Sequence, residues 1–381
     1  MVGERDIVGI SVPFAAGIAA GAVLCARLDI RSAVPADCVL IFLAIILFLA
    51  VRFDRLSDQP RKHHVLPNQR ILFGGIFLVT GIFCALNQHI ASGIPEYTTG
   101  PVAQAASRAA GQLKSVIDGI PYPSQTTGAL VKALLTGDRS GLSKEITGIF
   151  RDSGASHILA LSGLHLGVLY LILTKLTSPL GNSLTARRIR SPLIICAAFF
   201  YSIMTGAAPS IVRAFLFITI NETSKLLGRR RKPVNVLLAA LTIQLAVKPD
   251  VIGSVGFQLS YLAMAGIFIL YPKLEGIYPS PGSGRLSRLN PFRRIWNAAA
   301  LSVSCQVFTG PLAWHYFRTF PKYFILTNLI ALPLTSAVIA LSVATIALSF
   351  FGICPDFLVA INDQAVGILV FCLKVIAGMD D

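Results

Sequence analysis

Four groups of polar and ionisable residues interrupt an otherwise apolar chain, and any chemistry must be done there. The first runs Gly137-Asp138-Arg139-Ser140-Gly141-Leu142, continues through Phe150, Arg151, Gly154 and His157, and ends at Leu161-Ser162-Gly163-Leu164-His165. Ser162 and His165 are three apart, which puts them on one helical face. The second is Gly206-Ala207-Ala208-Pro209-Ser210 with Arg213, followed by Asn221 and Glu222. Here an arginine falls about one turn into an apolar segment that starts at a proline. The third is Asp250 with Ser254-Val255-Gly256-Phe257-Gln258-Leu259-Ser260, and the fourth is Asn328 with Pro333.

Each group has an ordinary structural explanation. A serine or threonine in a membrane helix usually bonds the carbonyl four residues back, a buried glutamine joins neighbouring helices, and Arg213 could pair with Glu222. Together the groups favour a polar interior path, because ionisable side chains at membrane depth are costly. Two functions compete. The groups could line a path for a hydrophilic, anionic solute. Alternatively, Ser162, His165 and Asp138 could form an intramembrane hydrolase, with serine attacking, histidine as base and aspartate orienting it. Side chains three apart on one helix point side by side, and no Gly-x-Ser-x-Gly elbow surrounds the serine. The hydrolase is the weaker reading, and the expectation is a protein without enzymatic activity. No metal or other cofactor is expected: His63-His64 sits in a basic loop, and the sequence has no HExxH, paired-carboxylate or Walker motif.

The elements that must position these residues are membrane helices. Of 381 residues 54% are hydrophobic and only 13% charged, about half the charge of a soluble domain. A water-soluble enzyme and a disordered chain are both excluded. The seven cysteines, Cys25, Cys38, Cys84, Cys196, Cys305, Cys354 and Cys372, lie singly in or beside apolar blocks and read as small packing residues. The block Ile7–Ala26 is too long for the apolar core of a signal peptide and lacks a basic leader.

Apolar blocks run near 7–26, 36–52, 71–90, 157–176, 191–206, 209–226, 234–248, 252–271, 295–315, 323–351 and 357–376. The spacing predicts an all-α, polytopic integral membrane protein with about eleven transmembrane helices plus amphipathic surface helices. Asn328 and Pro333 near the start of the longest block predict a broken helix there. The net charge is +15, and twenty of the 33 basic residues fall in loops that alternate along the span order. By the positive-inside rule those loops are cytoplasmic, the N-terminus with them, and the C-terminus lies outside. The basic excess is therefore mostly a topology signal. Residues 91–156 fall outside, with one amphipathic helix carrying Val102, Ala106, Ala109, Leu113 and Val116. A second runs from Ser143, its N-cap, to Asp152, with Gly154 as its stop.

At these four groups the sequence resembles the ComEC family of competence proteins, the inner-membrane channels for DNA uptake in natural transformation. The resemblance rests on Gly137-Asp138, Phe150, Gly154-x-x-His157 and Ser162-Gly163-Leu164-His165, on Pro209 with Arg213-Ala214, on Ser254 through Ser260, and on Asn328-Leu329 with Pro333. All occur in family order across about 125–350. It implies passage of single-stranded DNA into the cytoplasm across the bacterial inner membrane. It also implies an extracellular DNA receptor, a cytoplasmic helicase and a separate nuclease as possible partners. Such a path needs cations for phosphates and flat faces for bases. Arg139, Arg151 and Arg213 suit the first, and Phe150, Phe257 and Tyr261 the second. Asp138, His157, Ser162, His165, Gln258 and Asn328 are the remaining polar candidates for its lining. Asp138 is a poor phosphate ligand and is expected to hold Arg139 or cap local amides. Gly137, Gly154, Gly163, Pro209, Gly256 and Pro333 are expected to shape the backbone.

The sequence also departs from the common pattern of that family. Only about ten residues, 91–100, stand where many members insert an OB-fold. No His-x-His-x-Asp-His signature of a metallo-β-lactamase-like domain follows the last span. The expected organisation is a three-span region at 1–98 and a competence (channel) domain at 99–376, without nuclease activity.

Overall fold

The computed structural model describes residues 4–28, 74–82, 84–85, 101–181, 183–228, 232–278, 291–318, 321–353 and 355–379. The expected span at 36–52, the basic loop that follows it with His63 and His64, and the stretch at 91–100 lie outside the described residues. Every regular element among the described residues is helical. In chain order these are α1 (Glu4–Leu28), α2 (Pro101–Gly119), α3 (Gln125–Thr136), α4 (Lys144–Asp152), α5 (Ser156–Leu159), α6 (Gly163–Leu176) and α7 (Leu184–Met204). They continue with α8 (Pro209–Leu226), α9 (Pro233–Val247), α10 (Val255–Ile269), α11 (Tyr271–Glu275), α12 (Pro291–Phe317), α13 (Phe324–Phe350) and α14 (Asp356–Ala377). Residues 74–82 and 84–85 are also helical.

Among the described residues, four helical segments are long and apolar enough to cross a bilayer: Ile7–Leu24, Val255–Glu275, Phe324–Phe350 and Asp356–Ala377. The block expected as one span at 157–176 is not one helix. It breaks between α5 and α6, and the 14 residues of α6 reach roughly 21 Å, short of a hydrocarbon core of about 30 Å. The block 323–351 departs the other way. α13 runs unbroken for 27 residues with Pro333 inside it, so the proline removes the N–H that would bond the Leu329 carbonyl without ending the helix.

The chain divides into two compact units. The first comprises residues 1–97 and 231–258. Its α1 carries Gly17 and Gly21 one turn apart, and a Cβ on either would collide with the backbone or side chains of the helical residues Leu78, Ile82 and Ala85. Small residues at this spacing let two helix backbones approach, a recurrent device in membranes. On another side of α1, Ser11 Oγ donates to the Leu238 carbonyl of α9 at 3.2 Å and accepts from Thr242 Oγ1 at 2.9 Å.

The second unit comprises residues 98–230 and 259–381. One core joins α3, α4 and α5 to α13 and α14 around Leu130, Leu134, Phe150, Ile158, Ile339 and Leu369. α4, the second of the expected amphipathic helices, buries Ile146 and Phe150 in this core. α4 is bounded as its sequence signals predict, with Ser143 Oγ accepting from Ile146 N at 3.2 Å. The buried side of α2 is Ala106 and Ile117, while Val102, expected on its apolar face, is exposed. α3 was not anticipated. Ser124 caps it, and Asp363 of α14 accepts from Ser124 N and Thr127 Oγ1. A second core joins α6, α7 and α8 around Leu166, Ile194, Ala198 and Ile211. Of the cysteines whose side chains are described, Cys196 is exposed and Cys84, Cys305 and Cys372 are half-buried thiols.

Candidate functional site

The Gly137-Asp138-Arg139 turn ties α2, α3 and α5 together. Gly137 closes α3 at φ 79°, a left-handed conformation, and its N–H bonds the Ala133 carbonyl at 2.9 Å. Leu161 packs so closely over it that a Cβ would lie 2.5 Å from Leu161 Cδ1. Asp138 Oδ1 accepts from Ser140 N and Oγ at 3.1 and 2.6 Å, and Oδ2 pairs with Lys114 Nζ of α2 at 2.6 Å. The carboxylate therefore caps the turn as expected, but its cation is Lys114 and not Arg139. The Lys114 ammonium first, then the Ser140 donors, hold this carboxyl well below the usual carboxylate range. Arg139 Nε instead donates to the Leu159 carbonyl at the end of α5, 3.0 Å away, and the residue is exposed.

Further along, Phe150 is 0% exposed. It belongs to the core and offers no ring face to a base, contrary to the expected stacking role. Arg151 is exposed and lies 2.9 Å from Asp152 Oδ1. Gly154 adopts φ 78°, where a Cβ would lie 2.6 Å from Pro321 Cβ. The neighbouring Ser153 carbonyl accepts from Thr327 Oγ1 of α13 at 2.7 Å. His157 is exposed, its Nδ1 3.2 Å from the Gly154 carbonyl.

Ser162 does not sit inside a helix. It is the N-cap of α6: its Oγ accepts from Leu164 N at 3.2 Å, while Ser162 N donates to His165 Nδ1 at 3.1 Å. This reciprocal capping box uses a histidine where glutamate or glutamine is usual. The Ser162 Oγ–His165 Nδ1 separation is also 3.1 Å, but a triad is not assembled, because Asp138 is engaged by Lys114 and Ser140. Since Nδ1 accepts a backbone N–H, the ring proton resides on Nε2. That atom is buried without a hydrogen-bond partner.

Arg213, in the second turn of α8, is 7% exposed. Its guanidinium carbon lies 5.9 Å from the centre of the Tyr261 ring of α10. Its Nη2 lies 3.1 Å from where a Cβ on Gly163 would stand, at the first residue of α6. Nη1 has no hydrogen-bond partner. Among the described residues no carboxylate pairs with it, and the expected bridge to Glu222 does not form. Glu222, 1% exposed, accepts from Tyr170 of α6, Ser191 of α7 and Lys225, each at 2.7 Å. Tyr170 and Ser191 were not singled out in the sequence; nothing in their spacing marks them, although Glu222 and Lys225 stand at i, i+3.

These contacts fix directions. Gly163 meets Arg213 near the starts of α6 and α8, and Tyr170 meets Glu222 further along both, so the two helices run parallel. α7 runs against them, since its early Ser191 reaches the late Glu222 and its Phe199 ring lies 5.6 Å from that of Phe215. Arg187, Arg188 and Arg190 therefore gather at one end of the trio with Lys225. Ser162, Pro209 and Arg213 gather at the other. Pro209 is the first residue of α8, which starts without a side-chain cap. The chain reaches it through Gly206 and Ala207 at φ 77° and 50°.

In the other compact unit, Ser254 Oγ accepts from Phe257 N at 3.1 Å, and Gln258 Nε2 donates to the Ile252 carbonyl at 2.8 Å. A Cβ on Gly256 would meet open space. Phe257 is 4% exposed, so its ring, like that of Phe150, is enclosed. Asn328, in the first turns of α13, keeps its Oδ1 buried without a hydrogen-bond partner, and α13 packs beside α6.

A family model described as Competence protein matches residues 134–380, well over half of the chain. The chain belongs to the competence protein family. Its similar proteins include the uncharacterized protein YcaI of Escherichia coli K12, 28% identical across 67% of this chain and 33% of the relative. They also include ComE operon protein 3 of Bacillus subtilis 168, 26% identical across 55% of this chain and 25% of the relative. An uncharacterized protein of Aquifex aeolicus VF5 is 26% identical across 60% of this chain and half of the relative. The chain thus spans a quarter to a half of the length of these relatives. No solved structure matches it.

The matched region contains every motif residue considered above, and three of the four groups carry an unsatisfied buried polar atom: His165 Nε2, Arg213 Nη1 and Asn328 Oδ1. Thr174 and Thr219, further along α6 and α8, add two more. Neighbouring serines and threonines such as Ser202, Thr205 and Ser224 instead bond their own i−4 carbonyls, the usual arrangement for such residues in apolar helices. Other buried atoms without a hydrogen-bond partner lie on Arg190, Asn235, Asn297 and Thr335, so unspent hydrogen-bonding capacity includes the motif residues without being confined to them. Each such buried group costs about 1–3 kcal/mol.

Proposed function

We propose that the chain forms the path by which single-stranded DNA crosses the bacterial inner membrane during natural transformation, without catalysing a reaction itself. It would span the membrane about eleven times, with the N-terminus in the cytoplasm and the C-terminus outside. Residues 1–98 would form a three-span region and 99–376 the channel domain. An extracellular DNA receptor would supply the strand, a separate nuclease would remove its complement, and a cytoplasmic helicase would draw it in.

The observation that carries this reading is Arg213. A cation at the centre of a membrane helix costs about 2.5–3.5 kcal/mol or more, and Arg213, in the second turn of α8, is buried. One desolvated cation–π contact returns roughly 2 kcal/mol, and the orphaned Nη1 adds its own penalty. A buried, uncompensated cation of this kind points to an anion that visits it. Membership of the competence family makes a nucleic acid the anion to test. Deleting the gene in a competent host should abolish transformation. Arg213→Ala should reduce uptake of bound DNA while leaving DNA binding at the cell surface unchanged. Unchanged transformation in the deletion strain would sink the reading.

A further inference from the structure

α12 has two unlike sides. On one, Cys305 lies within electrostatic reach of Arg213, and the Ser304 carbonyl stands where a Cβ on Gly266 of α10 would be. Roughly half a turn round the helix from Cys305 stand Val303, Val307 and Trp314. With Pro311 and, from the start of α13, Phe324, they line a cavity of about 560 Å³, within the size range of ordinary ligand sites. Apart from the Gln306 amide the lining side chains are apolar. Along α12 the groove covers residues 303–314, roughly 16 Å of helix. That is about half of a hydrocarbon core of about 30 Å, the depth of one leaflet. Trp314, Tyr316 and Tyr323 are exposed at one end of it, residue types that gather where a bilayer meets water. Arg318 stands one turn beyond Trp314, its N–H on the Trp314 carbonyl at 3.0 Å. Its side chain is exposed, and among the described residues no carboxylate pairs with it. Lys322, two residues before Phe324, is exposed as well.

We infer that this groove is a binding site for an anionic phospholipid, with one acyl chain lying along residues 303–314 and the phosphate at Arg318 and Lys322. The groove is apolar over the length of one leaflet and cationic only at the aromatic end, which is how a lipid distributes its own chain and charge. A strand of DNA carries charge along its whole length and does not match it. The groove also faces away from Arg213, so its occupant comes from the bilayer and not from the proposed path. The inference rests on α12 crossing the membrane as one of the spans proposed above, and not on what the path carries.

The test uses the whole chain in phosphatidylcholine vesicles containing, at equal mole fraction, either phosphatidylglycerol or phosphatidylcholine with brominated acyl chains. Bromine quenches tryptophan fluorescence on contact, and the chain has two tryptophans, Trp296 and Trp314. In the unaltered protein the anionic lipid should occupy the site about fivefold more than the neutral one and quench correspondingly more. Trp314→Phe should remove that difference. Arg318→Asn combined with Lys322→Gln should also remove it while leaving quenching by both lipids. Asparagine suits the left-handed backbone that Arg318 adopts at φ 54°. Equal quenching by the two lipids in the unaltered protein overturns the inference and leaves α12 a span, so a variant that fails to fold does not shield it. A preference that survives the double substitution overturns it too. Quenching of Trp296 without Trp314 overturns it in favour of protein, a second copy or another segment of this chain, covering the groove. If neither tryptophan is quenched, the span reading falls with the inference, and the DNA reading is left to its own test.

Discussion

Ser162 and His165 meet through the histidine's Nδ1, which receives the serine's own backbone N–H at 3.1 Å. The pair that invites comparison with a hydrolase is thereby a helix start. In a nucleophilic site the histidine would take a proton from the hydroxyl and be steadied by a carboxylate on its other nitrogen. Here Nδ1 is shared with a backbone amide, and Nε2 has no partner. The two readings separate cleanly by substitution. Ser162→Ala should cost about 1 kcal/mol of stability through the lost cap and retain most uptake. Ser162→Asp, which caps but cannot attack, should recover the stability. Complete loss of function in both variants, each folded by circular dichroism, would restore the nucleophile.

Gly154 should tolerate almost no replacement. Alanine there would occupy φ 78° with its Cβ 2.6 Å from Pro321 Cβ. The left-handed backbone alone costs about 1–2 kcal/mol, and displacing the proline adds to it. Gly148 on the same α4 helix has only Asp152 Oδ2 nearby, at 3.8 Å, so Gly148→Ala should be neutral or stabilising by up to about 1 kcal/mol. Unfolding temperatures of the two variants in detergent, measured side by side, give the contrast; equal values would mean the Gly154 turn is not as described.

Removing the Glu222 carboxylate should loosen α6, α7 and α8 together. Glu222→Ala leaves Tyr170 and Ser191 hydroxyls without their acceptor and should cost on the order of 1–3 kcal/mol. Tyr170→Phe should cost less, because Ser191 and Lys225 still satisfy the carboxylate. The Lys225 contribution is modest, since that side chain is half-exposed and solvent-screened. A Tyr170→Phe loss as large as that of Glu222→Ala would contradict the shared-acceptor geometry.

The Lys114–Asp138 pair should give stability that depends on pH in one direction. Its carboxyl is depressed in the folded protein, mainly by Lys114, against an unfolded value near about 3.9. The contribution is therefore fully present above about pH 4 and is lost as pH falls below that toward the folded value. Unfolding temperatures of the unaltered protein and Asp138→Asn should differ at neutral pH and converge under strong acid. A gap that widens on acidification would reverse the assignment.

Much of the helical layout was legible because it follows from apolar block length. Within the described residues most expected spans from 191 onward coincide with a helix, and the ends of α4 were readable from Ser143 and Gly154. What could not be read were relations between segments. The sequence places Ser162 and His165 at helical spacing, but a cap and its N3 partner share that spacing, and only the break after α5 tells them apart. Arg213 and Glu222 lie nine residues apart on one helix, too far to pair, and their partners come from α6, α7 and α10. Phe150 is a candidate stacking face by sequence because aromatics serve bases and cores equally well; burial decides, and it is a tertiary property. α3 is not legible in the sequence because its apolar positions, Leu130, Val131, Ala133, Leu134 and Leu135, bury nearly all round and leave no polar stripe to mark a period.

The carboxylate of Glu222 receives α6, α7 and α8 at a single point, while among the described residues no comparable hydrogen-bonded hub joins the three at the Arg213 end. Nine residues of helix, roughly 13 Å, separate the two. Any widening between Gly163 and Arg213 is therefore a rotation about Glu222 and not a parallel slide. On an arm of that length a tilt of only about 10° opens the far end by roughly 2 Å, with no hydrogen bond at the pivot broken. Such a tilt would also have to separate the buried packing of Leu166 and Ile211 beside Arg213, so the trio is fastened by a carboxylate toward its basic end and by apolar contact at the other.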